Sequence, residues 1–158
     1  MANNGELLKE RVVELSEATN WNLANTEWVL YDLYKEEKGT CLCGKYPIIN
    51  QCILTNHFNN NQITVGSSCV NKFFNINTEK YFRNIIEVQQ DETVYMMPEI
   101  LELIRRRNLI NSWQLEFYLD IMKYKKLTEK QLFHKRKVDC IMLEHCLKLK
   151  QEELIKYK

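Results

Sequence analysis

Residues 41–69, CLCGKYPIINQCILTNHFNNNQITVGSSC, gather four of the six cysteines of the chain, and the rest of the protein is read around them. Cys41 and Cys43 flank Leu42 and are followed at once by Gly44. A glycine at that point permits the tight turn that brings two thiolates and nearby backbone N–H groups toward one point, the pattern of a metal-binding knuckle. From Tyr46 to Thr55 the residues are largely apolar and β-branched. Asn59, Asn60 and Asn61 then form a polar turn cluster, and residues 62–65 read as a return strand. The segment is therefore a β-hairpin. With its turn centred near Asn59 and Asn60, antiparallel pairing sets Cys52 roughly opposite Ser67, so that Cys52 and Cys69 meet at one end. Gly66, Ser67 and Ser68 supply a turn and an N-cap, which places Cys69 in the first turn of a helix continuing through VNKFF.

Four sulfurs arriving from a knuckle, a strand and a helix N-terminus suit tetrahedral zinc, which binds thiolates at ~2.3 Å and closes structural sites with four ligands. The expected ligands are Cys41, Cys43, Cys52 and Cys69, and the zinc is structural. The spacing C-x-C-G-x7-C-x16-C departs from the C-x2-C pairs of zinc ribbons. His57 competes for the place of Cys52, but at ~3.3 Å per strand residue it would sit roughly 16 Å farther along. On the residues alone, two other fates stay open for these cysteines: reduced thiols packed in a core, and disulfides.

The series Ala24, Glu27 and Trp28, then CLCGK at 41–45, then Asn56 and Asn61 about the turn, then VGSSCVNKF at 65–73 resembles small uncharacterised proteins of bacteria, phages and large DNA viruses. Those proteins carry a zinc-ribbon-like or treble-clef-like hairpin. The resemblance covers roughly residues 20–75 and implies a zinc hairpin in a nucleic-acid-handling or virus–host setting. It departs from the treble-clef pattern in one respect. Only Cys69 is available from the helix turn, where that pattern supplies two ligands, so the subclass of zinc finger stays open.

The remainder of the chain reads as helices, which makes the expected class α+β, mostly α. A zinc-clamped hairpin (40–75) stands between N-terminal helices (1–39) and a C-terminal helical bundle (76–158). At 158 residues and 45% hydrophobic, a single compact unit is expected. Leu7, Leu8, Val12, Leu15 and Ala18 predict an amphipathic helix over 5–18. Asn25 as N-cap and Gly39 as C-cap predict a second over 25–38, with Trp28, Leu30, Tyr31 and Tyr34 on it. Farther on, Asn77 starts a helix over 78–90, and Pro98 opens one that stops near Asn108. Asn111-x-x-Gln114 and Thr128-x-x-Gln131 fit capping boxes for helices over 112–124 and from 129 toward the C-terminus. On the last helix, Leu132, Val138, Ile141, Met142, His145 and Leu149 share a broad face.

A net charge of +1 conceals an asymmetry. Residues 1–102 hold 8 Lys and Arg against 14 Asp and Glu, a balance of −6, and residues 103–158 hold 14 against 7, a balance of +7. The basic half clusters as Arg105, Arg106 and Arg107, then Lys123, Lys125, Lys126 and Lys130, then Lys135, Arg136 and Lys137. Such clusters attract a phosphate backbone, DNA or RNA, and an acidic protein partner would use them equally well.

No phosphate-cradling glycine motif, zinc-protease signature or nucleophile elbow is present, and four glycines leave little material for one. No catalytic residue is expected. Adjacent His145 and Cys146 point about 100° apart on a helix and cannot both join Cys140 at a second metal. The N-terminus lacks an apolar signal segment, and no apolar run approaches the ~20 residues of a membrane span, so a cytoplasmic protein is expected, in the host cell if viral. The function expected is binding: a structural zinc, and nucleic acid held by the basic helices. The rival reading is a phage or viral interaction module that binds or inhibits a host protein.

Overall fold

In a computed structural model, which describes residues 3–154, Asn3 and Glu6 form a reciprocal capping box that starts α1 (Asn4–Glu14). Leu8 and Val12 are its buried residues, one turn apart. The helix ends well short of Ala18 because residues 15–18 turn toward a buried carboxylate. Glu27 accepts the backbone N–H groups of Glu17 and Ala18, both at 2.8 Å. A short α2 (Trp21–Ala24), capped by Asn20, and a 3-10 turn over Asn25–Glu27 lead to the sheet.

The predicted helix over 25–38 is a strand instead, β1 (Trp28–Gly39). It pairs antiparallel with β2 (Ile48–Asn56), and β2 pairs antiparallel with β3 (Gln62–Gly66), in the order β1-β2-β3. Trp, Val and Tyr favour a pleated surface over a helix interior. The side chains here alternate imperfectly between faces, with Trp28 and Leu33 buried and Val29 and Tyr31 exposed. A bulge at Tyr31 shifts the register and disguises the period of two. Gly39, read as a helix cap, answers a different need: a Cβ there would overlap the Gln51 amide, which donates to the Glu36 carbonyl. Asn25 does not open a helix over 25–38, and its side chain bonds the carbonyls of Trp21 and Asn22 and the Phe74 N–H.

The hairpin of β2 and β3 is as expected in kind, with its turn held by asparagines. Asn56 is fully buried and accepts from the N–H groups of Phe58 and Asn59, while its amide donates to Glu27 at 3.0 Å. Its register differs from the expected one by two residues, Cys52 lying opposite Val65 rather than Ser67. The helix around Cys69 is the single turn α3 (Ser67–Val70), and the chain beyond it is irregular rather than helical.

The chain divides into two units, Met1–Lys80 and Tyr81–Lys158, with α4 (Glu79–Gln90) beginning at the boundary. The second unit continues with α5 (Pro98–Arg106), α6 (Ser112–Ile121), α7 (Glu129–Leu147) and α8 (Gln151–Leu154). Pro98 is in the first turn of α5, and both predicted capping boxes form, Asn111 with Gln114 and Thr128 with Gln131. The long last helix stops at Lys148, which adopts a left-handed conformation; its predicted extension over 155–158 lies outside the described residues. No helix among the described residues is long and apolar enough to cross a membrane.

Candidate metal centre and basic helical face

Gly44 has φ +96°, a left-handed conformation that glycine adopts without strain, and its N–H closes the knuckle on the Cys41 carbonyl at 2.8 Å. The Cys41 N–H reaches the Lys45 carbonyl at 3.0 Å, and the Leu42 N–H bonds Thr64 of β3 at 2.9 Å. The outer side of the knuckle is held by Arg11 of α1, which donates to the Leu42 carbonyl at 2.6 Å. That contact carried no signal in the sequence, since Arg11 reads only as a solvated helix residue.

These bonds place Cys41 and Cys43 against α3, and the sulfurs of Cys41, Cys43 and Cys69 all lie within 4.8 Å of one another. Cys41 and Cys43 are buried and Cys69 is half-buried. A tetrahedral centre with ~2.3 Å arms spaces its sulfurs about 3.8 Å apart, so the three fit a metal ion with small adjustment. The donor chemistry fits as well. The Gly66 N–H points at the Cys41 sulfur at 3.4 Å, as thiolate-bearing knuckles require. Burial disfavours the thiolate of Cys43, but the Lys45 N–H, the two neighbouring thiols and the Lys72 charge outweigh it and lower its pKa. Cys69 is pushed the other way, to about 12, first by burial and then by the charge of Cys41. The two thiols are thus pushed in opposite directions, Cys43 down and Cys69 up.

Cys52, the fourth expected ligand, lies outside this group. It is fully buried, its sulfur faces the Thr78 hydroxyl at 3.5 Å, and burial pushes its thiol up to about 11. The reason is the register. A slip of two residues keeps a side chain on the same face of the sheet but moves it roughly 6.6 Å along the strand, away from the end where Cys69 stands. His57 is remote from the cluster, at the hairpin turn, with Nδ1 2.7 Å from the Glu27 carbonyl oxygen. An open cavity of about 380 Å³ adjoins the cysteines, and Lys35, Lys45 and Asn50 are among its walls. Lys35 carried no signal in the sequence, and Lys45 appeared there only as the last residue of CLCGK.

The basic residues separate into several groups. Lys135, expected at the surface, belongs to the interior instead. Its ammonium group donates to Asp139 Oδ2 at 2.6 Å and to the carbonyls of Glu92 and Val94 at 2.7 and 3.0 Å. A buried lysine needs all of its donors satisfied, and the Asp139 one turn later supplies the countercharge. Arg136 is paired with Glu92 at 2.9 Å, Lys123 with Asp120 at 3.1 Å, and half-buried Arg105 donates to Ser112 Oγ at 2.9 Å. Arg107 is half-buried, whereas Arg106, Lys125, Lys126, Lys130 and Lys137 are exposed. The arginines stand at the end of α5, with Arg105 bonded to Ser112 at the start of α6, and Lys123, Lys125 and Lys126 follow the other end of α6, about 15 Å along its axis.

Compared with protein-family models, with curated proteins and with solved structures, the chain matches none. The residues themselves define the class: an α+β protein whose antiparallel sheet carries a three-cysteine cluster able to hold a metal ion.

Proposed function

We propose that the chain is a zinc-binding protein whose basic second unit contacts nucleic acid. The observation that carries this reading is the convergence of three thiols, from two chain segments, within 4.8 Å. Zinc prefers such sulfur donors, and bound there it would cross-link the knuckle to α3. Its ligands are Cys41, Cys43 and Cys69, with the fourth position filled from outside the three. Native mass spectrometry with elemental analysis should find one zinc per chain, lost in Cys41→Ser, Cys43→Ser and Cys69→Ser and kept in Cys52→Ser. A metal-free native chain overturns the zinc reading. Loss of zinc from Cys52→Ser instead assigns the fourth position to Cys52.

The nucleic-acid part rests on the +7 balance of residues 103–158 and on the exposed cations Arg106, Lys125, Lys126, Lys130 and Lys137. Contacts of this kind give an affinity that falls steeply with salt and depends little on base sequence. Fluorescence anisotropy with labelled DNA and RNA at ~50 mM salt, where several phosphate contacts act most strongly, should show binding. Failure with both leaves the surface to an acidic protein partner.

A further inference from the structure

Resting on the nucleic-acid reading just given, we propose that α6 and α7 present an aromatic platform that binds single-stranded nucleic acid by stacking on its bases. Trp113 and Phe117, one helical turn apart on α6, stack with ring centres 5.3 Å apart and planes 13° from parallel. His134 of α7 meets both edge-on, at 5.4 and 5.5 Å, and Phe133 meets His134 at 5.4 Å. Four aromatic rings thus form one contact cluster across two helices, with Trp113 and Phe133 exposed and Phe117 and His134 half-buried between them. It is not a core: Trp113 is 56% exposed and Phe133 51%, while α7 buries Val138, Met142, Leu143 and Cys146 elsewhere.

Cations frame the platform on both sides. Next to Trp113, Ser112 holds the Arg105 guanidinium. On α7, Lys130 and Lys137 lie one turn before and one turn after Phe133 and His134, and the Lys137 ammonium sits 4.4 Å over the Phe133 ring. Flat apolar faces bordered by positive charge match unpaired bases bordered by phosphates. In a duplex the base faces are already stacked on one another, so only a single strand can use the rings. Stacking is tolerant of sequence because every base has a π-face. An acidic peptide would satisfy the cations and leave the aromatic faces without a partner.

The test compares a labelled thymine-only oligonucleotide with a duplex of equal length on the full chain. The single strand is expected to bind about tenfold tighter. Trp113→Ala and Phe133→Ala should each weaken it about tenfold, the size of one lost base–aromatic stack, with the salt slope unchanged. Lys130→Gln and Lys137→Gln should each lower the salt slope by about one. Trp113→Phe, which keeps a ring, should retain most of the affinity, while any loss of fold in the alanine variants would show as a lowered melting temperature. Equal binding of both forms, indifferent to the aromatic substitutions, overturns the platform and leaves phosphate contact standing. Binding of neither form overturns both readings. Capture of polyglutamate in their place assigns the patch to an acidic protein, and self-association abolished by Trp113→Ala assigns it to a second copy of the chain.

Discussion

In the first unit three thiols face one another at Cys41, Cys43 and Cys69, and in the second Lys135, Asp139 and Tyr118 meet in the interior, yet only the second group is complete in itself. All three Lys135 protons have acceptors. Asp139 takes one bond from Lys135 and one from the Tyr118 hydroxyl at 2.6 Å, and that hydroxyl accepts the Met96 N–H at 2.9 Å. Burial still pushes the Asp139 carboxyl up, and Lys135 opposes it; burial and Asp139 together drive the Tyr118 phenol well above its usual range. Thiols, by contrast, are weak hydrogen-bonding groups even where they contact one another, and burial together with the Cys41 charge holds Cys69 in its neutral form, which a bound cation would displace. The difference teaches how to sort buried polar clusters: one closed by its own donors and acceptors serves the fold, and one left open to an ion points to a ligand.

The largest expected effect tests that contrast directly. Removing zinc with a chelator should melt the knuckle and hairpin while leaving the helices of the second unit intact, followed by hydrogen exchange on each segment. Metal binding in small cysteine modules is folding free energy, on the order of 10 kcal/mol in isolated fingers, and that figure is an upper bound where α1 also holds the knuckle. Exchange unchanged by the chelator would remove the contrast.

Breaking the closed cluster should cost less. Lys135→Met leaves Asp139 buried without its countercharge and is expected to destabilise the chain by about 3–5 kcal/mol in denaturant unfolding. Oligonucleotide affinity, measured where the variant is folded, should not change, because this lysine reaches no solvent. A drop in affinity with stability unchanged would return Lys135 to the surface.

A third buried polar group sharpens the comparison. Burial disfavours the Glu27 carboxylate, but Asn56 and the N–H groups of Glu17 and Ala18 more than compensate, with a smaller contribution from His57, and its pKa is lowered. A lowered carboxylate pKa contributes stability fully above the ordinary glutamate value of about 4.3 and loses it as the pH falls through the folded value. Glu27→Gln should therefore cost about 1.5–3 kcal/mol at neutral pH, the worth of charged hydrogen bonds, and less in acid. A cost that does not shrink in acid would mean that shape rather than charge matters there.

The smallest effect on stability belongs to the surface. Reversing Arg106 and Lys126 to Glu should leave the melting transition within about 0.5 kcal/mol of the parent, because exposed charges contribute little. Affinity for every oligonucleotide should fall to a similar degree. An equal affinity after both reversals would move the contact away from the ends of α5 and α6.

What could be read from the sequence was local. Gly44 beside two cysteines makes a knuckle, three asparagines after an apolar run make a turn, and Asn111 with Gln114 or Thr128 with Gln131 makes a helix start. Each depends on residues within a turn or two of one another, and the charge imbalance depends on no structure at all. The strand at Trp28–Gly39 was hidden because its hydrogen bonds are made to β2 across a bulge, and because Asn25 and Gly39 read as the caps of a helix until a partner strand is beside it. Likewise, Lys135 looks like any other member of KRK, and only the packing of α7 against the Glu92–Val94 carbonyls turns it inward. Which sulfurs lie within 4.8 Å of one another depends on the least local quantity, the strand register. Two residues of slip separate Cys52 from the end where Cys69 stands, and no spacing of cysteines along the chain reports it.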